Sequence, residues 1–174
     1  MKQWRSAVAL ATIASACFTS SVWAADRVSG VLTSTYVIVE DTDLAGDVRC
    51  DVPNNAPCFS FGASGVELRL NGFTMTGKGD AITGCGGSSS ANEFGITTNG
   101  MSRVSVRGPG LVQRFRADGV FVTGSTDSRV VDLTLSTNCL SGIRVAGTSF
   151  GTLVENNVSV RNGNTNPGGS CGGI

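Results

Sequence analysis

The chain has 174 residues, with 13 basic and 13 acidic side chains, no histidine and only 15% charged residues. No run of Lys or Arg is present, which argues against a nucleic-acid backbone as partner and gives no reason to expect an anionic membrane surface. Without histidine, and without a Cys-x-x-Cys pair, a metal centre built on nitrogen and sulfur is disfavoured as well.

The first predicted element is an export signal over residues 1–24. Lys2 and Arg5 give a positive start, Ala7–Phe18 an apolar stretch, and Val22-Trp23-Ala24 small residues at the two positions a signal peptidase reads, placing the cut after Ala24. Thr12, Ser15 and Thr19-Ser20-Ser21 interrupt the apolar run, which is short for a bilayer crossing, so a retained anchor is disfavoured. Cys17 follows Ala14-Ser15-Ala16 but lacks the large aliphatic residue upstream that a lipoprotein cleavage box carries. The expected destination is the periplasm or the extracellular space, with no membrane insertion after cleavage.

Taking 24 residues from 174 leaves 150, enough for one domain with a core, and a formal charge of −2 from 11 basic and 13 acidic side chains. Five cysteines remain, and export permits disulfides. Cys50 and Cys58 flank the short polar loop Asp51–Pro57 and form the expected pair, while the odd count leaves the partners of Cys85, Cys139 and Cys171 open. Cys139, beside Leu140 near a corner, is expected to be buried.

Residues 25–61 read as an N-terminal cap and first coil. Val28–Glu40 is rich in β-branched and aromatic residues, and Phe59-Ser60-Phe61 is a short strand ended by glycines. Residues 62–163 carry the coils. Val66-Glu67-Leu68-Arg69-Leu70 alternates apolar with charged, which points Val66, Leu68 and Leu70 at a core, and Asn71-Gly72 turns the chain into Phe73–Thr76. The Gly84–Ser90 segment is expected to bulge from the coils. No helix-period stretch follows the signal. Residues 164–174 form a Gly- and Asn-rich tail, either a frayed end or a turn leading onward.

From Gly119 to Gly163 the chain repeats itself at 23 residues: Gly119-Val120 recurs as Gly142-Ile143, and Val130–Leu135 as Leu153–Val158. Short β-rich runs at such a period are the mark of stacked solenoid coils. Inward Val, Ile and Leu would then meet their equivalents one strand spacing away, about 4.8 Å, sealing an interior that no single coil can seal. The 23-residue offset sets Asp132 beside Glu155 and turns Asn156 inward, where its amide would bond backbone groups at a corner.

Gly65–Gly77, Val104–Gly108 and the paired coils from Gly119 together resemble the right-handed parallel β-helix repeat proteins of the pectin-lyase-like superfamily, over about residues 37–163. The resemblance implies an all-β, right-handed, single-stranded parallel β-helix with coils of about 23 residues, closed at its N-terminus by a cap. Its enzymatic branches do not carry over. The histidine motif of polygalacturonase-like enzymes is absent, and the acidic calcium ligands of pectate-lyase-like enzymes have no residue-by-residue match.

The candidate polar face comprises Asp132 and Glu155, able in principle to hold Ca²⁺ or share a proton, with Arg107, Arg129 and Arg144 as contacts for an anionic sugar. The expected function is an exported structural or carbohydrate-contacting module with polysaccharide as its partner, no identifiable catalytic site and no required cofactor. A polysaccharide lyase or glycoside hydrolase, or a fragment of one, is the first alternative. A cell-surface adhesion or assembly module using an open coil edge is the second.

Overall fold

The computed structural model describes residues 25–85, 92–163 and 173; the expected export signal, Cys171 and most of the C-terminal tail lie outside them. Every strand pairing in it is parallel. The chain opens with β1 (Asp26–Leu32), β2 (Tyr36–Ile38), the long β3 (Thr42–Cys50) and β4 (Phe59–Phe61). Three sets of short strands follow. The first is β5 (Glu67–Arg69), β6 (Thr74–Thr76) and β7 (Ile96–Thr97). Next come β8 (Ser105–Arg107), β9 (Leu111–Gln113) and β10 (Val120–Thr123). The third is β11 (Arg129–Val131), β12 (Thr134–Ser136) and β13 (Ile143–Ala146). The last coil supplies β14 (Leu153–Glu155) and β15 (Val158–Val160).

One sheet of ten strands has β3 at its centre. On one side of β3 lies a first wing, β5, β8, β11 and β14; on the other lies a second wing, β6, β9, β12 and β15; β1 pairs β3 along both halves. A second sheet runs β13-β10-β7-β4-β2. Successive coils therefore stack strand on strand, giving an all-β, parallel, curled architecture of solenoid type.

The core is built from rows of equivalent residues. Leu68, Val106 and Val130 align on the first wing, Val48, Met75, Val112 and Leu135 on the second, and Phe59, Ile96, Val120 and Ile143 on the other sheet. All are at most 1% exposed. Leu68 and Leu70 point inward as the alternation predicts, with Val66 packed against the core. Full burial of each such side chain is worth about 1.5–3 kcal/mol as an upper figure, so the rows supply the main driving force.

The repeat needs a correction of one residue. On the second sheet Val120 pairs with Ile143, a separation of 23, but Val130 pairs with Val154 and Leu135 with Ser159, a separation of 24. The extra residue enters at a turn: Gly124-Ser125 in one coil becomes Gly147-Thr148-Ser149 in the next, before the bridge of Thr126 to Phe150. Corners carry no sheet register and absorb the insertion. Glu155 thus lies beside Val131 rather than Asp132.

The inward asparagine is also displaced by one. Asn156 is exposed at a corner, and Asn157 carries the amide contacts instead: its Oδ1 accepts from the Leu133 N–H at 2.9 Å and its Nδ2 donates to the Val130 carbonyl at 2.7 Å. Asn138 and Asn162 form a second such ladder. Asn138 accepts the Phe115 N–H and donates to the Val112 carbonyl, while Asn162 Oδ1 accepts from Asn138 and its Nδ2 reaches the Leu135 carbonyl. A Cβ at Gly119 would stand 2.8 Å from Asn138 Nδ2, and one at Gly142 2.8 Å from Asn162 Nδ2, which explains why the repeat begins on glycine.

Two disulfides close the described chain. Cys50–Cys58 spans the polar loop after β3, and Cys85–Cys139 ties the base of the loop before β7 to the corner after β12. Cys139 is 1% exposed, as expected of a buried sulfur. Two such bonds fit a chain that matures in an oxidising compartment.

Candidate functional site

The outward residues of each strand form rows whose chemistry differs from wing to wing. On the first wing most of them are charged. Arg69 sits among three carboxylates: Asp41 Oδ2 and Asp43 Oδ1 each at 3.0 Å and Glu67 Oε1 at 2.7 Å, with Arg107 Nε 3.5 Å from the other oxygen of Glu67. Sequence alternation turned Glu67 and Arg69 outward, but residues 26 to 28 positions away supply Asp41 and Asp43, and only the pairing of β3 with β5 unites them. Each carboxylate is engaged with a guanidinium, and three acids against two arginines leave one formal negative charge.

The five candidate side chains do not form one site. Arg107 and Arg129 stand on adjacent strands of the first wing in different rows, since Arg129 aligns with Ser105 and Arg107 with Val131. Glu155 is exposed on β14, the next strand. Asp132 is exposed at the corner between β11 and β12, with left-handed backbone at φ 62°. Asn71 and Asn156 occupy the corresponding corner in other coils, at φ 52° and 55°. Asp and Asn enter that conformation more readily than other non-glycine residues, so backbone geometry accounts for the residue type.

Arg144 belongs to the other sheet altogether. Its Nε donates to Asp118 Oδ2 at 2.8 Å, and its guanidinium lies 4.0 Å from the centre of the Phe121 ring. The Asp118 side chain is fully buried. Burial raises its pKa above the ordinary carboxylate value, against the lowering effect of the Ser141 N–H and Arg144. Arg144 is thus held as the partner of a buried acid and as a lid on Phe121. Among the described residues, no group of three or more His, Cys, Asp or Glu side chains is arranged to hold a metal ion.

A concave surface lies on the second wing, where sequence reasoning placed no site. A groove of about 820 Å³ crosses β1, β3, β6 and β9. Its floor is the outward row Arg49, Thr76 and Gln113, with Thr74 beside it, and Gln113 Nε2 donates to Thr76 Oγ1 at 3.2 Å. Lys78 and Arg114 add two cations, Lys78 tethered to the Val52 carbonyl and Arg114 to the Gly79 carbonyl and, at 3.5 Å, to the Asp80 carboxylate; Asp47 and Asp51 add two acids. No aromatic side chain lines it. The arrangement offers hydroxyl, amide and guanidinium groups at strand spacing, a surface for hydrogen bonding to a ligand rich in hydroxyls.

One sequence signal points to this row: Thr74-Met75-Thr76 and Thr134-Leu135-Ser136 are strands with an apolar centre between two hydroxyls. In comparisons with known proteins, no family matches the chain, and no curated sequence or solved structure matches it either.

Proposed function

We propose that this chain is an exported structural β-solenoid module, with the right-handed coil of the pectin-lyase-like proteins it resembles, that contacts polysaccharide along the groove of its second wing. The observation that carries the reading is the row of Arg49, Thr76 and Gln113 on the floor of a groove large enough for a saccharide segment. Recognition there rests on hydrogen bonds, with Arg49 and Lys78 as the cations open to a uronate carboxylate, since Arg114 is paired with Asp80 at 3.5 Å. An array of neutral and uronate-containing glycans probed with the purified protein tests this. Retention on uronate glycans, weakened by added salt, is expected, and retention on none of them contradicts it.

The convergence of Asp41, Asp43 and Glu67 on Arg69 favours a second reading, cleavage of an acidic polysaccharide on the first wing. The separation of this cluster from the groove, and the engagement of each carboxylate by a guanidinium, place it second. Release of an ultraviolet-absorbing unsaturated product from a uronate polymer, with or without Ca²⁺ and lost on Asp43→Asn, would establish it.

A further inference from the structure

The groove of the second wing borders a smaller pocket, and three passes of the chain join the two. Asp51 lines the groove and Val52 the pocket, Gly77 and Lys78 line both, and Arg114 lines the groove while Phe115 and Arg116 line the pocket. The pocket has a volume of about 10 Å³, room for one water-sized group. Val52, Phe94 and Phe115, all buried, and the partly exposed Ala56 give it apolar walls.

Glu93 and Arg116 complete the lining, joined to each other but not fully satisfied. Arg116 Nη1 lies 3.4 Å from Glu93 Oε2 and 3.4 Å from Asn54 Oδ1. Glu93 is 4% exposed. Its Oε1 and the Nε of Arg116 are buried with no protein hydrogen-bond partner among the described residues. The segment is held between coils, since the Glu93 carbonyl accepts from the Ala117 N–H and the Phe94 carbonyl from the Cys58 N–H. A buried acceptor and a buried donor side by side call for one group that donates to the first and accepts from the second. A hydroxyl does both. A cation would face Arg116 and an anion would face Glu93, so neither suits the pocket.

We propose that this pocket is a subsite for the hydroxymethyl group of a hexose unit, next to a uronate unit held in the groove. A ring hydroxyl sits directly on the bulky ring, whereas a hydroxymethyl stands one carbon farther out and reaches a space that admits a single small group. Its methylene meets the apolar walls, its O–H donates to Glu93 Oε1, and its oxygen accepts from Arg116 Nε. Lys78, shared by groove and pocket, is placed to meet the carboxylate of the neighbouring uronate. The ligand is then a mixed polymer of uronate and hexose. The subsite rests on the saccharide reading of the groove and names the sugar beside the uronate.

Titration calorimetry with two oligosaccharides tests it, one alternating uronate with hexose and the other carrying 6-deoxyhexose in its place. The methyl of the deoxy sugar fits the space but leaves both buried atoms unpaired, so the wild type should bind the hexose form about tenfold tighter or more. Ala56→Leu fills the pocket without altering the ion pair. It should erase that preference and leave affinity for a pure polyuronate unchanged, with an unchanged melting midpoint certifying the fold. In NMR spectra of the wild type, the Arg116 Nε–H resonance should shift with the hexose form and not with the deoxy form. Equal affinity for the two sugars, with polyuronate binding intact, would overturn the subsite and leave the groove reading standing, the pocket then holding water only. A preference that survives Ala56→Leu, or an Arg116 resonance that ignores the hexose form, would overturn it as well. Binding of no glycan removes the groove reading and the subsite with it.

Discussion

Left-handed backbone at Asn71, Asp132 and Asn156 assigns these residues to corners, where a short polar side chain is tolerated and a bulky or branched one is strained. Asp132→Asn is therefore expected to leave stability and ligand binding unchanged, whereas Asp132→Val should cost about 1–2 kcal/mol in denaturant unfolding. Loss of binding in the asparagine variant would return a chemical role to the carboxylate. Asn157 makes the opposite case, because its amide satisfies the Leu133 N–H and the Val130 carbonyl. Asn157→Leu should destabilise by about 1–3 kcal/mol through backbone groups left unpaired. Asn156→Leu should act only through corner strain and leave those two bonds intact, a contrast that hydrogen exchange at Leu133 reads directly.

Tyr36, the single tyrosine of the chain, has its pKa pushed up from 10.0 to about 12, first by burial and then by its hydroxyl's bond to Asp26. A raised folded value means that the stabilisation is complete below pH 10 and is lost as the pH climbs through about 12. Tyrosinate absorbance should accordingly appear near pH 12 in the folded protein and near 10 in denaturant. A midpoint near 10 in both would show that Tyr36 and Asp26 are not in contact.

At the scale of elements, pairing joins what sequence distance separates. The alternation in Val66–Leu70 made the inner and outer sides of β5 legible, because period-2 burial is written locally. The company of Arg69 was not legible, since Asp41 and Asp43 come from another coil and no local pattern announces which strand will be its neighbour. Likewise the 23-residue repeat was visible, but its slip to 24 on the wings was not, because an added corner residue leaves each strand's own pattern untouched. That single residue separated Asp132 from Glu155 and moved the inward amide from Asn156 to Asn157.

The Cys85–Cys139 bond spans 54 residues and pins the loop before β7 to the stack. Loop entropy assigns it up to about 4 kcal/mol, more than the Cys50–Cys58 bond, whose separation is 8. Cys85→Ser with Cys139→Ser should therefore lower the melting midpoint further than Cys50→Ser with Cys58→Ser, as calorimetry can establish. The reverse order would mean that the short link holds the first coil together.

At the scale of the molecule, what repeats builds the stack and what fails to repeat marks its surface. The groove floor joins Arg49, Thr76 and Gln113 across separations of 27 and 37 residues, far from the regular coil. The long interval contains the loop before β7, and that insertion hides the row from any fixed-period reading while leaving strand register intact. Fold class was readable because packing residues recur; the groove was not, because it is a property of four strands side by side.

The central claim is that the second wing, rather than the first, meets a polysaccharide. Titration calorimetry of a uronate oligosaccharide against the wild type, against Thr76→Val with Gln113→Leu, and against Arg107→Ala with Arg129→Ala tests it most directly. Affinity reduced at least tenfold by the first pair of substitutions and unchanged by the second is the predicted result. Affinity that survives the groove substitutions, or falls only when the first-wing arginines are removed, would contradict it.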